Sequence, residues 1–164
     1  RAGQKDATVA LTRAIRTAGG AARTVMVRAL THQTGLKLST IRRALKASSG
    51  KLMFAIRSTG GDIALKYFGA RETQRGVTAA PKGQRQLYAG SFIKGRRFPH
   101  RVPLDLGGQA WMRNGKSRLP IVKVKSGLFI PAEMVSGETE AAFFSTVDKE
   151  LPPRLEAELR KVLG

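Results

Sequence analysis

The chain has 164 residues, 41% of them hydrophobic, which suits a single domain with one core. Its 30 Lys and Arg outnumber 11 Asp and Glu, which gives a net charge of +19. Repulsion among these positive charges destabilises the compact state unless an anionic partner is near. The absence of cysteine excludes disulfides and thiolate metal sites, and no apolar run approaches the roughly 20 residues that span a bilayer.

The N-terminal part predicts two helices. The first runs from Asp6 to about Thr31, with its arginines opposite an apolar stripe, and Gly19-Gly20 inside it predicts a kink. The second lies in "TGLKLSTIRRALKA", with Ser39 or Thr40 as its cap. The stripe of the first helix consists of Leu11, Ile15, Ala18, Ala22, Val25, Met26 and Ala29. The inner face of the second is formed by Ile41, Ala44 and Leu45.

The middle of the chain predicts short strands. "KLMFAIRS" alternates apolar and polar residues with the period of a strand, and further short apolar stretches follow, separated by Gly, Asn and Pro. "RNGK" at 113–116 predicts a tight two-residue hairpin turn, because Asn-Gly tolerates positive φ values. This spacing favours an antiparallel sheet with loops of varied length.

Helical periodicity returns after Pro131. One stripe ends before Pro152-Pro153 and another follows it, so this pair of prolines predicts a kink or a new helix. The stripes are Ala141, Phe144, Val147 and Leu151, then Leu155, Leu159 and Val162. The predicted fold class is α+β: an antiparallel or mixed β-sheet flanked by an N-terminal amphipathic helix pair and C-terminal helices. Residues 1–164 are predicted to form one domain, with a helical part at 6–48, a β-rich basic body at 51–130 and a helical, mildly acidic part at 131–164.

Charge is unevenly distributed. Residues 1–50 carry +9, residues 51–130 carry +13 and residues 131–164 carry −3. The densest cations lie in "SFIKGRRFPHRV", and we predict that a basic set contacts DNA or an acidic partner: Lys94, Arg96, Arg97, Arg101, Lys116 and Arg118. The acids Glu150, Glu156 and Glu158 are predicted to contact a basic surface of the same or a neighbouring subunit. Solvated loops and a solvated acidic helix are the alternatives.

Catalytic residues are scarce. The two histidines, His32 and His100, have no carboxylate near them in sequence, and the basic body holds only Asp62, Glu72 and Asp105. Those three acids and a lysine could assemble a metal-dependent nuclease site, but acids at strand ends usually cap turns. We therefore predict no enzymatic activity, no metal and no cofactor.

Three stretches together resemble the minor tail protein Z family of long-tailed bacteriophages and prophages. They are "AARTVMVRALTHQTGLKLSTIRRAL" (21–45), "ALKYFGARETQRGVTAAPKGQRQLYAGSFI" (64–93) and "RLPIVKVKSGLFIP" (118–131). The family pattern "F.AR.T..GV" is matched by Phe68, Ala70, Arg71, Thr73, Gly76 and Val77. Its "AFI"-like strand is matched by Ser91-Phe92-Ile93, with Ser91 in place of alanine, and "AWMR" (110–113) is a less typical strand.

The resemblance implies a structural virion protein rather than an enzyme. Family members complete the head-proximal end of the tail, in the neck, and tail symmetry implies a ring of six copies around the DNA channel. The implied partners are the tail terminator, tail tube and head–tail connector, with sequence-independent contact to genomic DNA and no membrane. The implied location is the virion, and the host cytoplasm during assembly. A cellular nucleic-acid-binding structural protein, such as a ribosomal protein, accounts equally well for charge and size.

Overall fold

The computed structural model describes residues 2–163, with side chains from 4 to 162, and confirms the α+β class. The α-helices within this range are α1 (Ala2–Thr34), α2 (Leu38–Ala44), α3 (Ile130–Met134) and α4 (Gly137–Leu163). The strands are β1 (Leu45–Gly50), β2 (Met53–Ser58), β3 (Arg71–Thr73), β4 (Gly76–Ala79), β5 (Gln86–Ala89), β6 (Ser91–Phe92), β7 (Lys94–Gly95), β8 (Val102–Pro103), β9 (Trp111–Arg113) and β10 (Ile121–Lys123).

The expectation of a single sheet is wrong. The described strands form four small antiparallel sheets, ordered β1-β2, β3-β4-β5, β10-β9-β6 and β7-β8. Most of these strands are only two to four residues long. Frequent Gly and Pro end each ladder after a few hydrogen bonds, so the ladders do not merge into one sheet.

The chain forms two compact units. The first contains α1 as far as Gln33, the segment Leu38–Thr59 and the chain from Pro131 onward. The second contains Thr34–Lys37 and Gly60–Ile130. The single domain predicted for residues 1–164 stays a prediction.

Helix α1 is one continuous element that runs through Gly19-Gly20. Alanines at every fourth position, Ala10, Ala14, Ala18 and Ala22, are buried, which lets neighbouring elements approach the helix closely. The predicted stripe is therefore correct for Ala18 and Ala22, whereas Val25 at its edge is 37% exposed. Beyond Thr34 the chain turns at Gly35, whose φ of +73° suits glycine.

The second helix is shorter than predicted. Helix α2 ends at Ala44, and Leu45 begins β1, which pairs with β2 from Leu45 opposite Ser58 to Gly50 opposite Met53. Leu45 is fully buried, but in a strand. Ser39 and Thr40 lie inside α2 rather than capping it. The predicted strand at 51–58 is confirmed as β2, and its unpredicted partner is β1.

Helix α4 continues through Pro152-Pro153 and is not divided there. The two prolines remove two backbone donors, but α4 is long enough to keep its remaining hydrogen bonds. Phe144, expected on the inner stripe, is 56% exposed, whereas Phe143 next to it is half-buried. Near its start, α4 contacts α1 through Glu138 Oε2 and His32 Nδ1, which lie 2.9 Å apart on the protein surface.

The second unit has its own core, formed by Leu65, Phe68, Val77, Ala79, Ala110, Leu128 and Ile130. Ser91 is buried beside this core, where its hydroxyl donates to the Tyr88 carbonyl at 2.6 Å and accepts from the Val77 amide at 3.0 Å. The hydroxyl is therefore fully satisfied where an alanine was expected. The prediction of a tight two-residue turn at "RNGK" is wrong. Strands β9 and β10 do form a hairpin, but residues 114–120 make a wide loop, in which the Asn114 amide donates to the Pro120 carbonyl at 3.1 Å.

Candidate nucleic-acid interface

The second unit is the more basic of the two. It contains fifteen Lys and Arg residues and three acids, which gives a formal charge of +12, whereas the first unit carries +7. Two of its three acids are engaged within the unit. The Asp62 carboxylate accepts from the Gly127 amide at 2.8 Å, and Glu72 binds Arg101. Most cations of this unit are therefore not compensated by a neighbouring acid.

The three acids of the nuclease alternative do not come together. Asp62 is held against the turn at Gly127 and Glu72 against Arg101. Within the part of the chain that the structure describes, no three Asp, Glu or His side chains lie close enough to share a metal ion. Asp62 caps a turn, as acids at strand ends usually do.

The ion pair between Glu72 and Arg101 organises the basic loop. The Glu72 side chain is 7% exposed and that of Arg101 is 15% exposed. Besides binding Arg101, the Glu72 carboxylate accepts from the backbone amides of Ile93 at 3.3 Å and Lys94 at 3.2 Å. The Arg101 guanidinium also donates to the carbonyls of Lys94 and Arg96. Arg101 is thus an internal brace of the loop, which sets it apart from the other cations of the predicted set.

The remaining cations of this loop point outward. Lys94, Arg96 and Arg97 are exposed. Arg96 has a φ of +64°, a left-handed conformation that is uncommon for a residue with a Cβ and costs about 1 kcal/mol. The Phe98 ring, 43% exposed, lies 5.2 Å from the guanidinium carbon of Arg101. The brace therefore fixes a hairpin that carries three exposed cations, with Lys94 in β7 and Arg96 and Arg97 in the connection that follows it.

Lys116 and Arg118 lie on a different surface. Strand β6 pairs with β9 so that Ser91 faces Met112 and Phe92 faces Trp111. Because this pairing is antiparallel, the chain leaves β6 towards the braced loop at one end and leaves β9 towards residues 114–120 at the other. The structure therefore does not combine the six predicted cations into one surface. The chain segments that carry them leave this sheet at opposite ends, with Lys94, Arg96, Arg97 and Arg101 after β6 and Lys116 and Arg118 after β9.

Two cations at the second end were not singled out from the sequence. The Gly90 amide donates to the Arg75 carbonyl at 3.0 Å, and Gly90 directly precedes β6. The turn carrying Arg75 therefore lies at the same end as Arg113, beside the exposed loop with Lys116 and Arg118. The turn signal around Arg75 is visible in "TQRG", but its position near Arg113 depends on strand pairing.

The C-terminal acids contact cations of the same chain. Glu150 binds Arg154 at 2.6 Å, and Glu156 lies 3.9 Å from Arg160 with 72% of its side chain exposed. Glu158 accepts from Arg13 at 3.2 Å and from Lys161 at 2.6 Å. One of the two contacts predicted for these acids, a basic surface of the same subunit, is therefore present for Glu158. The contact with a neighbouring subunit stays a prediction, for which Glu156 is the most accessible of the three.

Two side chains have shifted pKa values. The hydrogen bond from Lys161, with a smaller contribution from Arg13, lowers the pKa of Glu158. Burial raises the pKa of Tyr88, although the hydrogen bond from Gln86 opposes it. Neither group belongs to the braced loop.

Comparison of the chain with family models, curated proteins and solved structures found no match. Among residues 2–163, no helix is long and apolar enough to cross a membrane.

Proposed function

We propose that this protein is a structural virion protein that completes the head-proximal end of a phage tail. It forms a ring of six copies in the neck, around the DNA channel, and helps to join head and tail. The proposal is supported by the order and spacing of the stretches that resemble the minor tail protein Z family. Its partners are the tail terminator, the tail tube and the head–tail connector.

The observation that carries the proposed contact with DNA is the braced basic loop. Lys94, Arg96 and Arg97 are exposed on a loop whose backbone is held by a nearly buried ion pair, so binding does not have to order the loop backbone that carries them. Duplex DNA has one negative charge per roughly 1.7 Å, and cations that face it gain by releasing counterions. Such contacts read phosphates and not bases, which suits a genome that passes through a neck.

A ring multiplies this charge. If every copy presented its three loop cations to the channel, DNA that must slide would be held too strongly. We therefore assign part of them to the DNA end or to an acidic surface of a neighbouring ring, and the rest to solvent. Because the ion pair between Glu72 and Arg101 holds the loop, we propose that these cations are presented by an ordered loop and not by a mobile arm.

A cellular nucleic-acid-binding structural protein, similar to a ribosomal protein, is the second candidate. The +12 charge of the second unit favours it as much as it favours the first candidate. The two differ in gene neighbourhood. Tail-tube and terminator genes beside this one support the virion protein, and ribosomal genes support the alternative.

The decisive experiment is deletion of the gene from the phage or prophage that encodes it, followed by electron microscopy. We expect full heads and separate tails whose head-proximal end is incomplete, and we expect the wild-type chain supplied in trans to restore joined particles. Normally joined, infectious particles without the protein would refute the neck function. A variant with Glu72 and Arg101 both replaced by glutamine serves as a second complementation test of the braced loop.

A further inference from the structure

The first unit contains an open groove of about 920 Å³ that the function proposed above does not use. One wall is the N-terminal half of α1, and the other is the turn between β1 and β2. Its lining includes Lys5, Val9, Thr12, Arg13, Arg16 and Lys51. Cations of this groove come from two separate elements, so its charge is a product of the tertiary structure.

The groove is preformed. The Leu52 amide donates to the Thr12 hydroxyl at 3.2 Å, which ties the tip of the hairpin to α1. Leu52 adopts a φ of +53°, a strained conformation for this residue that shapes the turn. Lys51, next to Leu52, is thereby held over the same groove as the cations of α1.

Most of the charge in the groove is uncompensated. Arg13 is paired with Glu158 at 3.2 Å. Lys5, Arg16 and Lys51 are exposed, and none of them forms an ion pair with another described residue. No acid is found among the described residues that line the groove. An anionic ligand would therefore meet three free cations in a concave site.

The lining indicates which kind of anion fits. Val9, 56% exposed, is the single large apolar side chain found among the described lining residues, whereas protein partners usually dock through several apolar anchors. The hydroxyls of Thr8 and Thr12 donate to backbone carbonyls at 2.9 and 2.8 Å, so they offer no proton to a ligand. Recognition through charge alone is typical of a phosphate backbone.

We propose that this groove binds the phosphate backbone of one strand of duplex DNA, independently of base sequence. Lys5 and Arg16 are separated by about 16 Å along the helix axis, given a rise of 1.5 Å per residue. A groove of this length is long enough to face more than one phosphate of the strand. The site belongs to the first unit and does not rest on the neck function or on the braced loop.

The test compares two variants that lose the same charge. K5Q/R16Q/K51Q removes the free cations of the groove, and R42Q/R43Q/R57Q removes three exposed cations elsewhere in the same unit. Affinity for a mixed-sequence 25-base-pair duplex is measured by fluorescence anisotropy across a range of salt concentrations. We expect the groove variant to lower the slope of log affinity against log salt by up to about 0.9 per lost contact, and the control to leave it unchanged.

Several results would overturn the proposal. Equal changes in the two variants would show that only net charge matters, and an unchanged slope in the groove variant would exclude phosphate contacts. A K5R/R16K/K51R variant, which keeps all charges, should retain wild-type binding and controls for folding of the groove. If polyglutamate displaces the duplex from the wild type as well as unlabelled DNA does at equal charge, the occupant is an acidic protein segment and not DNA.

Discussion

Gln33 joins the end of α1 to the start of α4 through Thr139. The Gln33 side-chain oxygen accepts from both the amide and the hydroxyl of Thr139, at 2.9 and 2.8 Å, and Thr139 is fully buried. The Gln33 side-chain nitrogen donates to the carbonyl and carboxylate of Glu133, at 3.1 and 2.7 Å. The amide of Thr139 is one of the first-turn donors that a helix cannot satisfy by itself. Gln33 thus caps α4 from another helix.

We expect Q33A to lower the free energy of unfolding by about 2–4 kcal/mol, because it leaves buried polar groups of Thr139 without a partner. Q74A is the matched control, since Gln74 lies exposed in the turn between β3 and β4, and we expect it to change stability by less than about 0.5 kcal/mol. Urea unfolding followed by circular dichroism measures both. Equal stability of Q33A and Q74A would contradict this role.

Alanine substitutions at Gly19 and Gly20 should change stability in opposite directions, although the two glycines are neighbours in one helix. A Cβ on Gly20 would meet nothing within 4 Å, so G20A should stabilise the protein by about 0.5–1 kcal/mol through helix propensity. A Cβ on Gly19 would lie 2.9 Å from the Phe54 Cβ and closer still to its ring, so G19A should destabilise it by about 1–3 kcal/mol. Thermal unfolding of the two variants decides the matter. Stabilisation by both would show that Phe54 does not pack against α1.

The ion pair between Glu72 and Arg101 predicts that the arginines of the basic loop contribute unequally to stability. R101Q leaves the nearly buried Glu72 carboxylate without its charged partner and should cost about 2–4 kcal/mol. R97Q, on an exposed side chain, should cost less than about 0.5 kcal/mol. Chemical denaturation measures both values. E72Q/R101Q should be less destabilised than R101Q alone, because neither partner is then left as an unpaired charge.

Three loop cations can be removed without disturbing the brace. K94Q/R96G/R97Q keeps Arg101, and glycine suits the left-handed conformation of Arg96, so stability should stay within about 1 kcal/mol of the wild type. If these cations contact phosphates, the slope of log affinity for duplex DNA against log salt should fall by up to about 0.9 per contact. R42Q/R43Q/R57Q again controls for net charge. A slope equal to that of the wild type would make the loop a solvated connection.

The lowered pKa of Glu158 predicts a pH dependence. The folded state holds the carboxylate more strongly than the unfolded chain, so the pair stabilises the protein above pH 4.5, the ordinary pKa of the group, and this stabilisation is lost as the pH falls through the lowered value. Wild type should therefore unfold at a higher temperature than E158Q at pH 7, and the gap should narrow as the pH falls below 4.5. D148N, at an exposed position in the middle of α4, should show no such gap. A gap that does not narrow at all below pH 4.5 would assign the stabilisation by Glu158 to packing.

The helices of this protein are visible in its sequence because their signal is local. The apolar spacing of α1 and the return of helical periodicity after Pro131 predict two long helices, and both are present. The exposed cations of the braced loop could be named from sequence because they are concentrated within a few residues, although the expectation that Gly95 keeps them out of regular structure is wrong, since Lys94 and Gly95 form β7. Each of these inferences needs only residues within a few turns of one another.

Tertiary structure decided what depends on distant partners. Leu45 continues the apolar spacing of α2, yet it forms β1 because β2 offers a complete antiparallel partner. In the sequence Arg101 is indistinguishable from the other loop cations, whereas in the structure it forms an ion pair with Glu72, 29 residues away. Lys51 shares a groove with Lys5 only because the hairpin tip is tied to α1. Periodicity reports which side of an element is apolar, whereas pairing, charge compensation and concave sites depend on which elements meet.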